Sequence, residues 1–173
     1  MPNHYRYEAD FFTATNLNWK RLLKPAKYKD IIVNSLRYLS EDNRVAVHGF
    51  VIMDNHLHLI WQIRHPFKLA DVQRSFLRYT AQQIKFDLVA HHPAVLEHFF
   101  VGAKDRQYQF WERNPLSVPL WTTAVLEQKL VYLHANPVRA GLCARPEDYH
   151  YSSAGFYTSG NGDFDFLVDY RNV

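Results

Sequence analysis

Hydrophobic and polar positions alternate most regularly over His56–Ile63, where Leu57, Leu59, Trp61 and Ile63 take every second place. A period of two belongs to a β-strand, whose successive side chains leave opposite faces. One face of this strand is therefore apolar, and the other carries His56 and His58 side by side. Residues 44–53 form a second, more continuously apolar run. Asp54-Asn55 lies between the two runs, and both residue types tolerate left-handed backbone geometry. The pair of runs reads as an antiparallel hairpin. Upstream, residues 5–17 contain Phe11-Phe12-Thr13-Ala14-Thr15 and read as a first strand. Between them Ile32, Leu36 and Leu39 recur at helical spacing, which predicts a first helix over 28–41.

After Pro66 the spacing changes again. Leu69, Val72, Phe76 and Ile84 predict a second helix over 68–88, facing inward along that stripe. His91-His92-Pro93 is a breaker, and 89–106 reads as irregular. Residues 107–120 look extended, and Pro119 predicts a strand at a sheet edge, where a missing N–H is tolerated. Thr122 or Thr123 is placed to cap a third helix running to about Ala135. Pro137 is expected to end it, because a proline disfavours helical geometry in the residue before it. The tail holds a Gly160-Asn161-Gly162 turn and an alternating Phe164-Asp165-Phe166 piece. The predicted fold is α+β: a ferredoxin-like βαββαβ antiparallel sheet with an extra C-terminal helix. A single domain over 1–173 is expected, with a core of about 5–142 and a tail of 143–173. The first two helices would cover one sheet face and leave the other, where the histidines point, to the third.

Composition narrows the setting. With 47% apolar and 21% charged residues over 173 positions, the chain can bury a core and is not of disordered type. Cys143 is the only cysteine, which excludes an internal disulfide and a cysteine-based zinc site and suits a reducing compartment; it reads as a small buried apolar residue. Residues 1–6 lack the apolar stretch of a signal peptide, and no run approaches a membrane span. A cytoplasmic protein with no membrane partner is expected. A net charge of +3 permits a nucleic-acid partner without demanding one. The 16% aromatic content serves either a ring-rich core or platforms for unpaired bases.

Two neighbouring strand histidines are either half-exposed polar residues or ligands. As ligands they need at least one more donor and an open position for substrate. The third helix offers that donor. Its apolar stripe is Leu126, Leu130 and Leu133, while Gln128, Tyr132 and Asn136 at i, i+4 and i+8 share a different face. Together these residues suggest a metal site of His56, His58 and Asn136 with Tyr132 beside it. A phenol, with a pKa near 10, becomes a useful nucleophile when aimed at an electrophile that a metal has polarised. A phosphodiester is such an electrophile. Attack gives a phosphotyrosine ester that a free DNA hydroxyl can later reverse, without a nucleotide cofactor. On the second helix, Arg74, Arg78, Gln82 and Lys85 form a separate stripe, either a solvated face or a track for phosphates.

Gly49-Phe50-Val51-Ile52-Met53-Asp54-Asn55-His56-Leu57-His58-Leu59 resembles the histidine-hydrophobic-histidine motif of the single-tyrosine HUH (IS200-like) transposases. Tyr132-Leu133-His134-Ala135-Asn136-Pro137-Val138-Arg139-Ala140-Gly141-Leu142 resembles their catalytic-tyrosine helix, in its REP-associated branch. The likeness covers about residues 5–155. It implies Tyr132 as nucleophile and His56 and His58 as metal ligands. Asn136 falls where many relatives place a metal-binding glutamine, and its side chain is one methylene shorter. The family's activity implies cleavage and rejoining of single-stranded DNA at imperfect palindromes that form hairpins, with Mg²⁺ or Mn²⁺. Apart from the resemblance, the basic stripe on the second helix makes Arg74, Arg78 and Lys85 the candidate DNA contacts. Two other readings share these residues: a non-catalytic hairpin-binding protein on the same scaffold, and a metal-dependent hydrolase in which water replaces the tyrosine. The oligomeric state, monomer or homodimer, stays open.

Overall fold

The computed structural model describes residues 8–160 and 162–173. The expected strand positions 5–7, the N-terminal segment 1–6 and Asn161 of the glycine turn lie outside the described residues. Four strands, β1 (Ala9–Thr15), β2 (Val45–Ile52), β3 (His56–Ile63) and β4 (Leu116–Leu120), form an antiparallel sheet in the order β2-β3-β1-β4. Among the described residues five α-helices accompany it: α1 (Ala26–Glu41), α2 (Leu69–His91), α3 (Pro93–Glu97), α4 (Thr123–Arg139) and α5 (Ala154–Ser159). This is the expected α+β, ferredoxin-like arrangement with a helix added after the last strand.

The two faces of the sheet are packed separately. Phe12, Val47, Phe50, Ile52, Leu57, Leu59 and Trp61 join Ile32 and Leu36 of α1 and Val72, Phe76, Ile84 and Leu88 of α2 in one core. Ala9, Phe11, Val51, Met53 and Ile60 meet Leu126, Leu130 and Leu133 of α4 in a second. The alternation along β3 is thus the alternation between two cores. In β2 it would fail by itself, since Val45 and Val47 share a face with Phe50 and Ile52. A bulge between Val47 and Gly49 inserts His48 and restores the phase. His48 is fully buried there, and its Nδ1 donates to the Val168 carbonyl at 2.8 Å, which ties down the tail.

Four expectations change. α2 runs to His91, and Pro93 opens the short helix α3 instead of an irregular stretch; proline suits a first helical position because its N–H would be unpaired there anyway. Of the extended span 107–120 only Leu116–Leu120 is strand, at the edge as Pro119 requires. Cys143, grouped with buried apolar residues by its type, is only half-buried. Pro137 does not end the third helix, which continues to Arg139. In the last turn a proline forfeits a single backbone bond, to the Leu133 carbonyl. Termination falls to Gly141 at φ 75°, where Gly141 N–H donates to Val138 (3.0 Å) and Leu142 N–H to Pro137 (2.9 Å). That is a left-handed glycine cap. At the other end Thr122 is the N-cap, its hydroxyl accepting from the Val125 amide at 3.2 Å.

Candidate active site

The β2–β3 turn presents the histidine strand and is held from below. Lys29 of α1 is buried, and its Nζ donates to the Leu23 carbonyl (2.7 Å) and to Asp54 Oδ1 (3.0 Å). Leu23 N–H donates to the Asp54 carbonyl at 2.8 Å. A buried ammonium with three oxygen partners, the third being the Lys24 carbonyl, is a fixed point.

On that support His56 and His58 stand on the α4 face with ring centroids 5.0 Å apart. Each ring is oriented through Nδ1. His56 Nδ1–H donates to Asn55 Oδ1 at 2.7 Å. His58 Nδ1 is hydrogen-bonded to Thr13 Oγ1 at 2.7 Å, across the β1–β3 pair that sets these residues opposite each other. Phe11 stacks on the His58 ring at 5.2 Å. The Asn55 oxygen, which can only accept, places the His56 proton on Nδ1 and leaves Nε2 with a free lone pair, and the Thr13 hydroxyl anchors the His58 ring through Nδ1. Burial also keeps both rings neutral. It lowers the pKa of His56, and for His58, only 6% exposed, burial assisted by His56, Arg139 and Lys129 lowers it to about 3. A neutral imidazole is the form that binds a metal.

α4 brings in the remaining groups. Asn136 Nδ2 donates to His56 Nε2 at 3.2 Å, so the shorter asparagine does reach the histidine nitrogen in question. Gly49 explains the reach: a Cβ there would lie 2.6 Å from Leu130 Cδ1, and its absence lets the helix sit close to the sheet. A half-turn of the carboxamide exchanges nitrogen for oxygen at the same place. Two imidazoles and a carboxamide oxygen therefore fit a divalent ion. Among the described residues, no group of three His, Cys, Asp or Glu side chains is arranged to hold one. The candidate donors stay His56, His58 and Asn136, a set without a carboxylate.

Tyr132, 46% exposed, stands one turn earlier with its ring 5.6 Å from that of His58. Two cations flank it. Lys129 Nζ is 5.5 Å from the ring centre and the Arg139 guanidinium 4.6 Å, and Arg139 Nη2 also donates to the Tyr132 carbonyl at 3.0 Å. Neither cation stood out in the sequence, nor did Thr13 and Asn55. Lys129 and Arg139 were open to the same helical arithmetic, since 129, 132, 136 and 139 follow the i, i+3, i+7, i+10 pattern of one face. Thr13 was not, because its partner lies 45 residues away across a strand pair.

Arg74, Arg78 and Lys85 are not brought to this site. They lie on α2, which covers the opposite face of the sheet. Arg74 pairs loosely with Asp71 at 3.5 Å, and Lys85 Nζ sits 5.4 Å from the Tyr108 ring. Arg74 and Arg78 line a groove of about 650 Å³ with Arg106, Tyr108 and Arg113. No helix is long and apolar enough to cross a membrane among the described residues.

No family model matches the chain, and no curated protein matches its sequence. Solved structures do resemble it. A Deinococcus radiodurans protein described as a candidate transposase aligns over 76% of this chain and 93% of its own, with 13% identity and a TM-score of 0.49. A REP-associated tyrosine transposase bound to a REP hairpin aligns over 98% of this chain and 90% of its own, with 16% identity and a TM-score of 0.67. The chain has the fold of that REP-associated tyrosine transposase.

Proposed function

We propose that this protein is a metal-dependent DNA strand transferase, a single-tyrosine transposase that cuts and rejoins single strands beside hairpins. The observation that carries the reading is the Tyr132 ring beside His58, with Asn136 on the Nε2 of the neighbouring His56. The solved relative of like fold was caught on a hairpin, which supports the same kind of substrate here. Arg74, Arg78 and Lys85 then serve the duplex part on the far side of the sheet, away from the chemistry.

His56 and His58 through Nε2, with the Asn136 carboxamide oxygen, would hold the divalent ion, which draws charge from the phosphoryl oxygens when bound. Mn²⁺ suits this nitrogen-rich set better than the harder Mg²⁺. Asn55 and Thr13 hold the imidazoles in place. Lys129 and Arg139 neutralise the phosphate that approaches Tyr132. The Tyr132 oxygen forms a bond to phosphorus as the bond to the 3′-oxygen breaks. The phenolic proton is lost to solvent, and the departing 3′-oxygen takes one up. The 5′-phosphate is left on the tyrosine, and attack by a 3′-hydroxyl reverses the step and joins the strands. A reducing, cytoplasmic setting suits the lone Cys143.

The test is Tyr132→Phe with a labelled hairpin oligonucleotide on a denaturing gel. The covalent adduct should vanish while hairpin binding stays within about twofold, since phenylalanine keeps the ring and removes only the attacking oxygen. Adducts at the wild-type level would exclude Tyr132 as nucleophile. Cleavage without adducts in both proteins would favour a hydrolase using water. Binding without any cleavage in either would favour a hairpin-binding protein.

A further inference from the structure

Trp19 lies on the other side of the histidine pair from Tyr132. Its indole is 6.1 Å from the His56 ring, His56 is 5.0 Å from His58, and His58 is 5.6 Å from Tyr132. Four rings thus follow one another across the site, and Trp19 is the outermost, 64% exposed. A large indole left in water is not serving a core.

Its backbone is equally unusual. Asn18 and Trp19 both have positive φ, 53° and 57°. For a bulky side chain this is a true outlier, and such geometry persists only where the surroundings impose it. The surroundings here do. Trp19 N–H donates to the Asn16 carbonyl (3.0 Å), and Asn18 N–H donates to Glu112 Oε1 (2.6 Å). Asn55 Nδ2 donates to the Trp19 carbonyl (3.4 Å). The same Asn55 side chain accepts from His56 Nδ1. One carboxamide therefore sets both the first histidine and the turn that carries the indole.

We propose that Trp19 is a stacking platform for an unpaired base, that of the nucleotide on the 5′ side of the cut. This inference rests on the strand-transfer reading above. In phosphoryl transfer the attacking and leaving oxygens are roughly in line through phosphorus. Tyr132 attacks from beyond His58, so the 3′-oxygen departs on the side of His56 and Trp19. The nucleotide that owns that oxygen carries its base toward the indole. Stacking tolerates any base, because every base has a π-face. The platform also retains the cut 3′-end for rejoining, which a strand transferase needs and a nuclease does not.

The probe is a stable hairpin with a single-stranded dT extension in which one abasic position is walked along, with Mn²⁺ present. Binding is read by anisotropy on a Tyr132→Phe background, so the result does not depend on cleavage. One abasic position should weaken binding about tenfold, the scale of a single missing stack. Trp19→Ala should cost about the same on the intact extension, with no further loss at that abasic position, and Trp19→Phe should restore most of the affinity. Trp19→Ala binding as tightly as the parent, or keeping the full abasic penalty, would overturn the proposal. In proteins retaining Tyr132, the alanine variant should raise the ratio of covalent adduct to rejoined product, and an unchanged ratio would overturn the retention role. If the wild type forms no adduct at all, the strand-transfer chemistry fails while the abasic walk still reports on stacking.

Discussion

The two faces of the sheet are built to different specifications. On one, α1 and α2 seal Trp61, Phe12 and Phe76 in a ring-rich core whose inward positions are almost wholly apolar. On the other, a smaller core under α4 is interrupted at its rim by Thr13, His56, His58 and Asn136. Yet both faces share the strands β1, β2 and β3. The contrast shows how a small domain separates stability from chemistry: alternate residues of one strand serve one purpose or the other. Polar groups on the second face are tolerated because each is oriented by a specific partner.

The sharpest way to break this contrast is to substitute alternate residues of β3 and its neighbours. His56→Ala and His58→Ala should each reduce metal-dependent cleavage to background, with thermal unfolding shifted only slightly for the half-buried His56. Phe76→Ala, on the sealed face, should instead cost about 3–5 kcal/mol of stability. Any activity it loses should track its unfolded fraction in a urea titration. Equal loss of stability on both faces would mean that the division of labour is wrong.

Gly49 joins the two purposes, since it lies in the sheet but controls the distance of α4. Gly49→Ala places a methyl against Leu130, the tip of a side chain that can shift, so about 1 kcal/mol of destabilisation is expected. Cleavage should fall further than that figure accounts for, because Tyr132 and Asn136 move out with the helix. Activity measured well below the melting temperature would show the excess loss.

A smaller effect is expected in acid. Burial lowers the pKa of His48, so the folded protein keeps the ring neutral while the unfolded chain protonates it below about 6.5. Stability is full above that value and declines as pH falls toward the folded-state pKa. His48→Gln, which retains a donor for Val168, should flatten the decline in urea midpoints as pH falls below about 6.5. The smallest effect concerns α2. Neutralising Arg74, Arg78 and Lys85 together should weaken hairpin binding and make the slope of log affinity against log salt shallower. The expected change is roughly 0.9 for each duplex phosphate that is no longer neutralised. An unchanged slope would return the stripe to an ordinary solvated face.

The alternation of His56–Ile63 and the four-residue spacing of Tyr132 and Asn136 were enough to put these groups on facing elements, because both periods are local properties of the backbone. What escaped the sequence depends on contacts between distant segments. Thr13 meets His58 only through strand pairing, and the bulge at His48 is visible only as a change of phase between Val47 and Phe50. The positive φ of Trp19 is imposed by Asn16, Glu112 and Asn55 together, and no residue type announces it. Pro137 differs for another reason: a proline's bias against helical geometry in the residue before it is a preference, which the packing of α4 against the sheet outweighs at Asn136.

Lys129, Tyr132, Asn136 and Arg139 all ride on one capped helix, fixed at one end by Thr122 and at the other by Gly141. The proposed nucleophile, ligand and phosphate-binding cations therefore have no independent adjustments; they share the motion of one helix. A displacement of α4 disarms the site as a unit, and its return restores every part at once. A partner that grasped this helix would act as a switch on the whole reaction rather than as a dial on one step.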